Sequence, residues 1–119
     1  MTAEERMKKA TKIIDDMAKT AATTTAVFSQ IPGMGVATLS TLYSDMAKKI
    51  AALFNQKLDS QTARTLVLEG CKRHANTIFE KSLLGWIPLF GNAINAKMTF
   101  ELTKNVGWFF YDYFDKIAD

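Results

Sequence analysis

Cysteine is almost missing from this chain: Cys71 stands alone among 119 residues. An internal disulfide framework is therefore excluded, and the composition agrees with a reducing compartment. Proline is limited to Pro32 and Pro88, while Ala, Lys, Leu and Met are plentiful, which favours helix. No run of about 18 strongly apolar residues occurs, so an ordinary transmembrane helix is not expected. Blocks of like charge are lacking too: acids and bases mix from Glu4 to Asp16, and the net charge is only +3. A nucleic-acid binder concentrates its basic residues on one face, so no nucleic-acid partner is expected. The opening residues Met1-Thr2-Ala3-Glu4-Glu5-Arg6 carry acids where a secretory signal carries bases followed by an apolar run. The expected location is cytoplasmic, or peripheral on the inner face of a membrane.

With 48% hydrophobic and 23% charged residues, the sequence is that of a folded globular chain, and its length fits a single domain over residues 1–119. Ile31-Pro32-Gly33-Met34-Gly35 returns as Ile87-Pro88-Leu89-Phe90-Gly91. In the same register Asp45 matches Glu101, Lys48 matches Lys104, Ile50 matches Val106, Phe54 matches Phe110 and Asp59 matches Asp115. Such self-similarity marks two copies of one unit, about 3–58 and about 61–118. Each copy reads as a helix, an Ile-Pro-x-x-Gly corner and a second helix, because the residue before proline leaves the α region.

Apolar residues spaced by three and four give the helix faces. The first helix offers Met7, Ile13, Ile14, Met17, Ala21 and Phe28, and the second Val36, Leu39, Tyr43, Met46, Ile50 and Leu53. The third offers Val67, Cys71, Ala75, Ile78 and Leu83, and the fourth Ile94, Met98, Leu102, Val106, Phe109, Tyr113 and Ile117. Asp59 or Ser60 is expected to cap the third helix. Short links make neighbours antiparallel, so the predicted fold is all-α, an up-down four-helix bundle of two helical hairpins.

That topology places both corners at one end. No charged residue lies between Thr20 and Ser44, or between Ser82 and Ala96. The uncharged arms reach about 8–16 Å from the corners, against a bilayer core of roughly 30 Å, so the tip can enter a membrane interface without crossing it. Met34, Leu84, Trp86, Leu89 and Phe90 are the candidate tip contacts for a partner or for lipid. The competing expectation is that these side chains turn inward and close the bundle, as the neighbouring threonines and serines favour in the first hairpin. Six of the nine residues from Val106 to Phe114 are aromatic. One core cannot take them all, so Trp108, Phe110 and Tyr111 are the candidate contacts on the fourth helix, unless the first helix covers that second face.

Cys71 and His74 share a helix face, but a nucleophile needs an orienting group and an oxyanion site that nothing here supplies. One Cys and one His do not make a zinc site. Gly33-x-Gly35 is too short for a phosphate loop. No catalytic, cofactor-binding or metal-ligating residue is therefore expected, and the chain is not expected to be an enzyme.

Ser29-Gln30-Ile31-Pro32-Gly33, the run Met46-Ala47-Lys48-Lys49-Ile50-Ala51-Ala52-Leu53-Phe54, and Leu84-Gly85-Trp86-Ile87-Pro88-Leu89-Phe90-Gly91-Asn92-Ala93-Ile94-Asn95-Ala96 together resemble a GTPase-associated helical domain of unknown function. That domain also occurs in YcjF-like bacterial inner-membrane proteins. Gly107 and Phe114 continue the likeness, which covers about residues 20 to 115. It implies a helical module that works beside a GTPase or a membrane, here without a GTPase domain attached, so that any GTPase acts in trans. The expected function is thus a non-enzymatic adaptor or regulator that docks on a protein partner or a membrane surface. The alternative is an immunity-type protein that neutralises a cognate toxin or bacteriocin. A homodimer that hides Trp108 and Phe110 is a third option.

Overall fold

The computed structural model describes residues 1–28, 34–74 and 96–118 of the chain. Four helices occupy them: α1 (Ala3–Phe28), α2 (Met34–Leu53), α3 (Ser60–His74) and α4 (Ala96–Ala118). Both Ile-Pro corners lie outside the described residues, as do Leu84, Trp86, Leu89 and Phe90, and the described part of Met34 is its place at the start of α2.

Three helix ends have a local cause among the described residues. At the start of α1 the Thr2 hydroxyl accepts the Glu5 N–H at 3.1 Å and the Thr2 carbonyl accepts the Arg6 N–H at 3.0 Å. Thr2-x-x-Glu5 is the spacing of a capping box. The end of α2 is a left-handed turn at Asn55 (φ 57°), where the Gln56 N–H bonds the Ala51 carbonyl and the Asn55 N–H bonds the Ala52 carbonyl. This pair of bonds is a Schellman motif, with Asn in the position glycine usually takes. Of the two expected caps for α3, Asp59 is the one used: its Oδ1 accepts the Thr62 N–H at 2.7 Å.

The four helices form an all-α bundle. Arg6, near the start of α1, lies over the ring of Phe54 just beyond α2, and Phe54 packs against Phe114 near the end of α4. Further along, Ile14 of α1 meets Gly107 of α4, and Lys48 of α2 reaches Ser60 at the start of α3. So α1 and α3 run one way, α2 and α4 the other, and Phe28, Met34, His74 and Ala96 end at the same side of the bundle. The most extensive packing is between α1 and α4, with α1–α2 next. Ile14, Leu39, Met46, Ile50, Val106, Phe110 and Phe114 are fully buried or nearly so. Each such side chain contributes about 1.5–3 kcal/mol relative to exposure.

The expected core face of α4 is turned from the observed one. Leu102 and Val106 are buried as expected, but Phe110, Tyr111 and Phe114 then take the interior while Phe109 is half-buried and Tyr113 and Ile117 are exposed. The physical reason is Gly107. It lets α1 come close to α4, so the lower half of α4 packs toward α1 and Phe54. Met7, expected in the core, is exposed.

A Cβ built on Gly107 would stand 2.7 Å from Ile14 Cγ1 and 3.0 Å from its Cγ2. Ile14 is stiff at χ1 and fully buried, so it has little room to yield. Gly107→Ala should gain up to about 1 kcal/mol of helix propensity and lose about 1–3 kcal/mol by overpacking, a net destabilisation of about 1 kcal/mol. At Gly70 the nearest atom is Phe109 Cδ2 at 3.0 Å, on a half-buried ring that can tilt. Gly70→Ala should change stability by less than about 0.5 kcal/mol. Urea titration of both variants checks this; equal stability of Gly107→Ala and wild type would refute the close approach.

Asp59 yields a pH prediction. The Thr62 N–H and then the Thr62 hydroxyl hold its carboxyl below the usual carboxylate range. A folded-state pKa below the unfolded one stabilises the fold above the unfolded value of about 3.9, and that contribution disappears as pH falls through the folded value. Thermal melts should show Asp59→Ala below wild type at pH 7, with the gap closing under strong acidification.

Candidate functional site

The fourth helix sorts its aromatics into two sets. Inside, Phe54 meets Tyr111 edge-on with centroids 5.2 Å apart and stacks on Phe114 at 6.4 Å. The Arg6 guanidinium sits 4.5 Å above the Phe54 ring and closes the base of this cluster. Phe110 is fully buried and Tyr111 is 6% exposed, so neither can serve as the surface contact expected of it. The geometry explains the correction: with α1 close to α4, the face expected to be free becomes the α1–α4 interface.

Trp108 takes a different place. It is half-buried and meets Tyr111 edge-on at 5.3 Å, at the rim of the cluster. Together with Leu66, Phe109 and Tyr113 it lines an open groove of about 810 Å³ between α3 and α4. Glu69, Arg73, Asn105, Asp112 and Lys116 form the polar margin of that groove. Arg73 bonds Glu69 one turn earlier (3.0 Å), and its guanidinium lies 5.5 Å from the centre of the Phe109 ring, so a cation sits over the apolar floor while the side chain stays exposed. An aromatic floor with a margin of both signs is the anatomy of a protein-contact patch.

The sequence points to Trp108 as a surface residue and does not point to Phe109, Tyr113 or Leu66. The spacing of Phe109 and Tyr113 with Leu102 and Val106 predicts the core for both. The signal that could move them out is Gly107, which offers no side chain to a neighbouring helix and so marks the face that packs closest.

The uncharged arms of α1 and α2 present hydroxyls where their side chains are described. Thr20 and Thr23 on α1 and Ser40 and Thr41 on α2 are exposed. The Thr20 and Thr23 hydroxyls donate to the Asp16 and Lys19 carbonyls of their own helix at 2.9 and 3.0 Å. Among the described residues, no helix is long and apolar enough to cross a membrane.

Polar groups are also buried among the described residues. Thr103 Oγ1 donates to the Thr99 carbonyl at 2.7 Å, which uses its single proton, so the Tyr43 hydroxyl must donate to Thr103 Oγ1 across the 2.7 Å contact. Burial first of all raises the Tyr43 pKa, and this phenol stays neutral. Cys71 is 6% exposed, and burial pushes its thiol up to about 12. A nucleophilic cysteine needs the opposite shift. Among the described residues no group of three His, Cys, Asp or Glu side chains is disposed to hold a metal.

Comparison with protein-family models, with curated proteins and with solved structures finds no match to the chain.

The Cys71 thiol yields a direct check. At pH 8 the native chain should react with a thiol-specific disulfide reagent at a rate set by opening of the bundle, at least a hundredfold slower than the urea-unfolded chain by the ordinary scale of protection in a stable core. Equal rates in the two states would contradict the burial of Cys71.

Proposed function

We propose that this chain is a non-enzymatic protein-docking module whose recognition surface is the α3–α4 groove around Trp108. The observation that carries this reading is the pairing of Trp108, Phe109 and Tyr113 on an open groove floor with Glu69, Arg73, Asp112 and Lys116 at its edge. Trp and Tyr beside Arg are the residue types that dominate binding energy where water is excluded from the centre of a contact. The mixed margin selects the class of occupant. A nucleic acid or an anionic lipid surface would be repelled by Glu69 and Asp112, whereas a folded protein surface of mixed charge can satisfy both signs. The high pKa of Cys71 supports the non-enzymatic part of the reading, since the only thiol of the chain is held protonated.

A photo-crosslinking amino acid at position 112, on the exposed margin of the groove, tests the proposal in the cell of origin; position 9 on α1, also exposed, is the control. Position 112 should yield a discrete protein adduct that position 9 does not, and Trp108→Glu should remove it. Absence of any position-specific adduct would overturn the reading.

A further inference from the structure

The outward stripe of α4 has a pattern that names its own occupant. Glu101, Asn105, Trp108, Asp112 and Lys116 recur by three and four, so they stand in one row along the helix. Four of them are exposed and Trp108 is half-buried at the centre. Asp112 and Lys116 have the spacing of an intrahelical ion pair, yet the ion pairs among the described residues are Lys12–Asp16 and Arg73–Glu69. Glu101, Asp112 and Lys116 therefore hold their charges out to solvent.

We infer that this stripe is the interface of a two-fold dimer, in which α4 of one copy packs antiparallel against α4 of a second. The inference rests on the docking reading above and supplies its partner. Place the two-fold axis midway between Trp108 and Phe109. At ~1.5 Å per residue, Glu101 and Lys116 then lie roughly 11 Å on either side of the axis, and Asn105 and Asp112 roughly 5 Å. Glu101 faces Lys116 of the second copy, Asn105 offers its amide to the Asp112 carboxylate of the second copy, and the two Trp108 rings meet at the centre. Along the flank, Lys104 comes opposite Asp115 of the second copy, offset by about 3 Å. Every contact away from the axis is made twice, as an isologous interface requires. A parallel pairing in register would set Glu101 on Glu101, Asp112 on Asp112 and Lys116 on Lys116, so the charges reject it. Trp108 supplies the energy of the contact and the charges set its direction, because exposed ion pairs contribute little individually. One helix on another is a small interface, so the dimer dissociates on dilution.

Sedimentation equilibrium of the full chain tests this with Glu101→Lys and Lys116→Glu, two exposed substitutions that spare the core. Wild type should show a reversible monomer–dimer equilibrium. Each reversal replaces two attractive pairs by two repulsive ones and should weaken self-association about tenfold. Mixed together, the two variants should form a heterodimer of near wild-type affinity, since each lysine then meets a glutamate. A wild-type chain that stays monomeric at every accessible concentration overturns the inference. So does a dimer that ignores both reversals, or a mixture that fails to recover. The crosslink at position 112 separates the two proposals: an adduct of twice the chain mass supports both, an adduct to another protein supports only the docking reading, and no adduct removes the common premise.

Discussion

The contact between Gly107 and Ile14 determines how the rest of this bundle is arranged. A glycine in the middle of a long helix costs about 1 kcal/mol relative to alanine, and it is retained where another backbone or a bulky side chain comes close. Here the isoleucine fills the space that a Cβ would need. Bringing α1 that near to α4 fixes the rotation of α4 about its axis. Phe110, Tyr111 and Phe114 are carried inward to Phe54, and Trp108 is left at the rim. The exposed stripe from Glu101 to Lys116 is the complement of that choice.

A second constraint holds α2 and α4 in step. Tyr43 and Thr103 bring two hydroxyls together in a fully buried setting, where the Tyr43 hydroxyl alone would lose its hydration without return. Sliding α4 by one turn against α2 would break that bond and strand the Tyr43 hydroxyl, at about 1–3 kcal/mol, while Thr103 keeps its bond to the Thr99 carbonyl. Apolar packing tolerates several registers of two helices; a single buried hydroxyl pair does not. At the base, the Asn55 turn stops α2 so that Phe54 folds under the bundle instead of continuing outward. Position 110, which pairs with Phe54 in the repeat register, lies inside an unbroken helix. Both phenylalanines are buried, but one ends its helix and the other sits eight residues from the end, so the two halves diverge at this point.

How much of this was legible depended on how sharply each segment separates apolar from polar residues. In α2 the row Leu39, Tyr43, Met46 and Ile50 stands between charged and hydroxyl residues, and period alone found the buried face. Asp59 was legible as a cap for the same kind of reason, a short carboxylate just before a helix, and Thr2-x-x-Glu5 carries a comparable signal in its spacing. In α4 the aromatics fall on nearly every side, so every choice of face looks apolar and periodicity loses its power. Gly107 carried the missing information as an absence of side chain, which hydropathy does not register. Asn55 was illegible for another reason: asparagine enters the left-handed region far less readily than glycine, so its residue type gives only a weak signal. The surface role expected of Phe110 and Tyr111 failed with the face, while Trp108, two positions before Phe110, lies at the rim.

The remaining question is why a tryptophan stands in a row otherwise made of Glu, Asn, Asp and Lys. The folding explanation is that Trp108 shields Tyr111 and the Phe54 cluster from water, and its edge-on contact at 5.3 Å shows that it does so in part. Shielding accounts for the side of the indole turned toward Tyr111. It does not account for the side that lines the groove with Phe109 and Tyr113, because a leucine or methionine stem would cover Tyr111 and favour helix more. Nor does solubility, since the four neighbours in the row are charged or polar and a fifth would suit water better. A large amphipathic ring set between opposite charges gains most when a second surface removes its outer face from water. The close α1–α4 packing creates the stripe, and the composition of the stripe fits it to be covered.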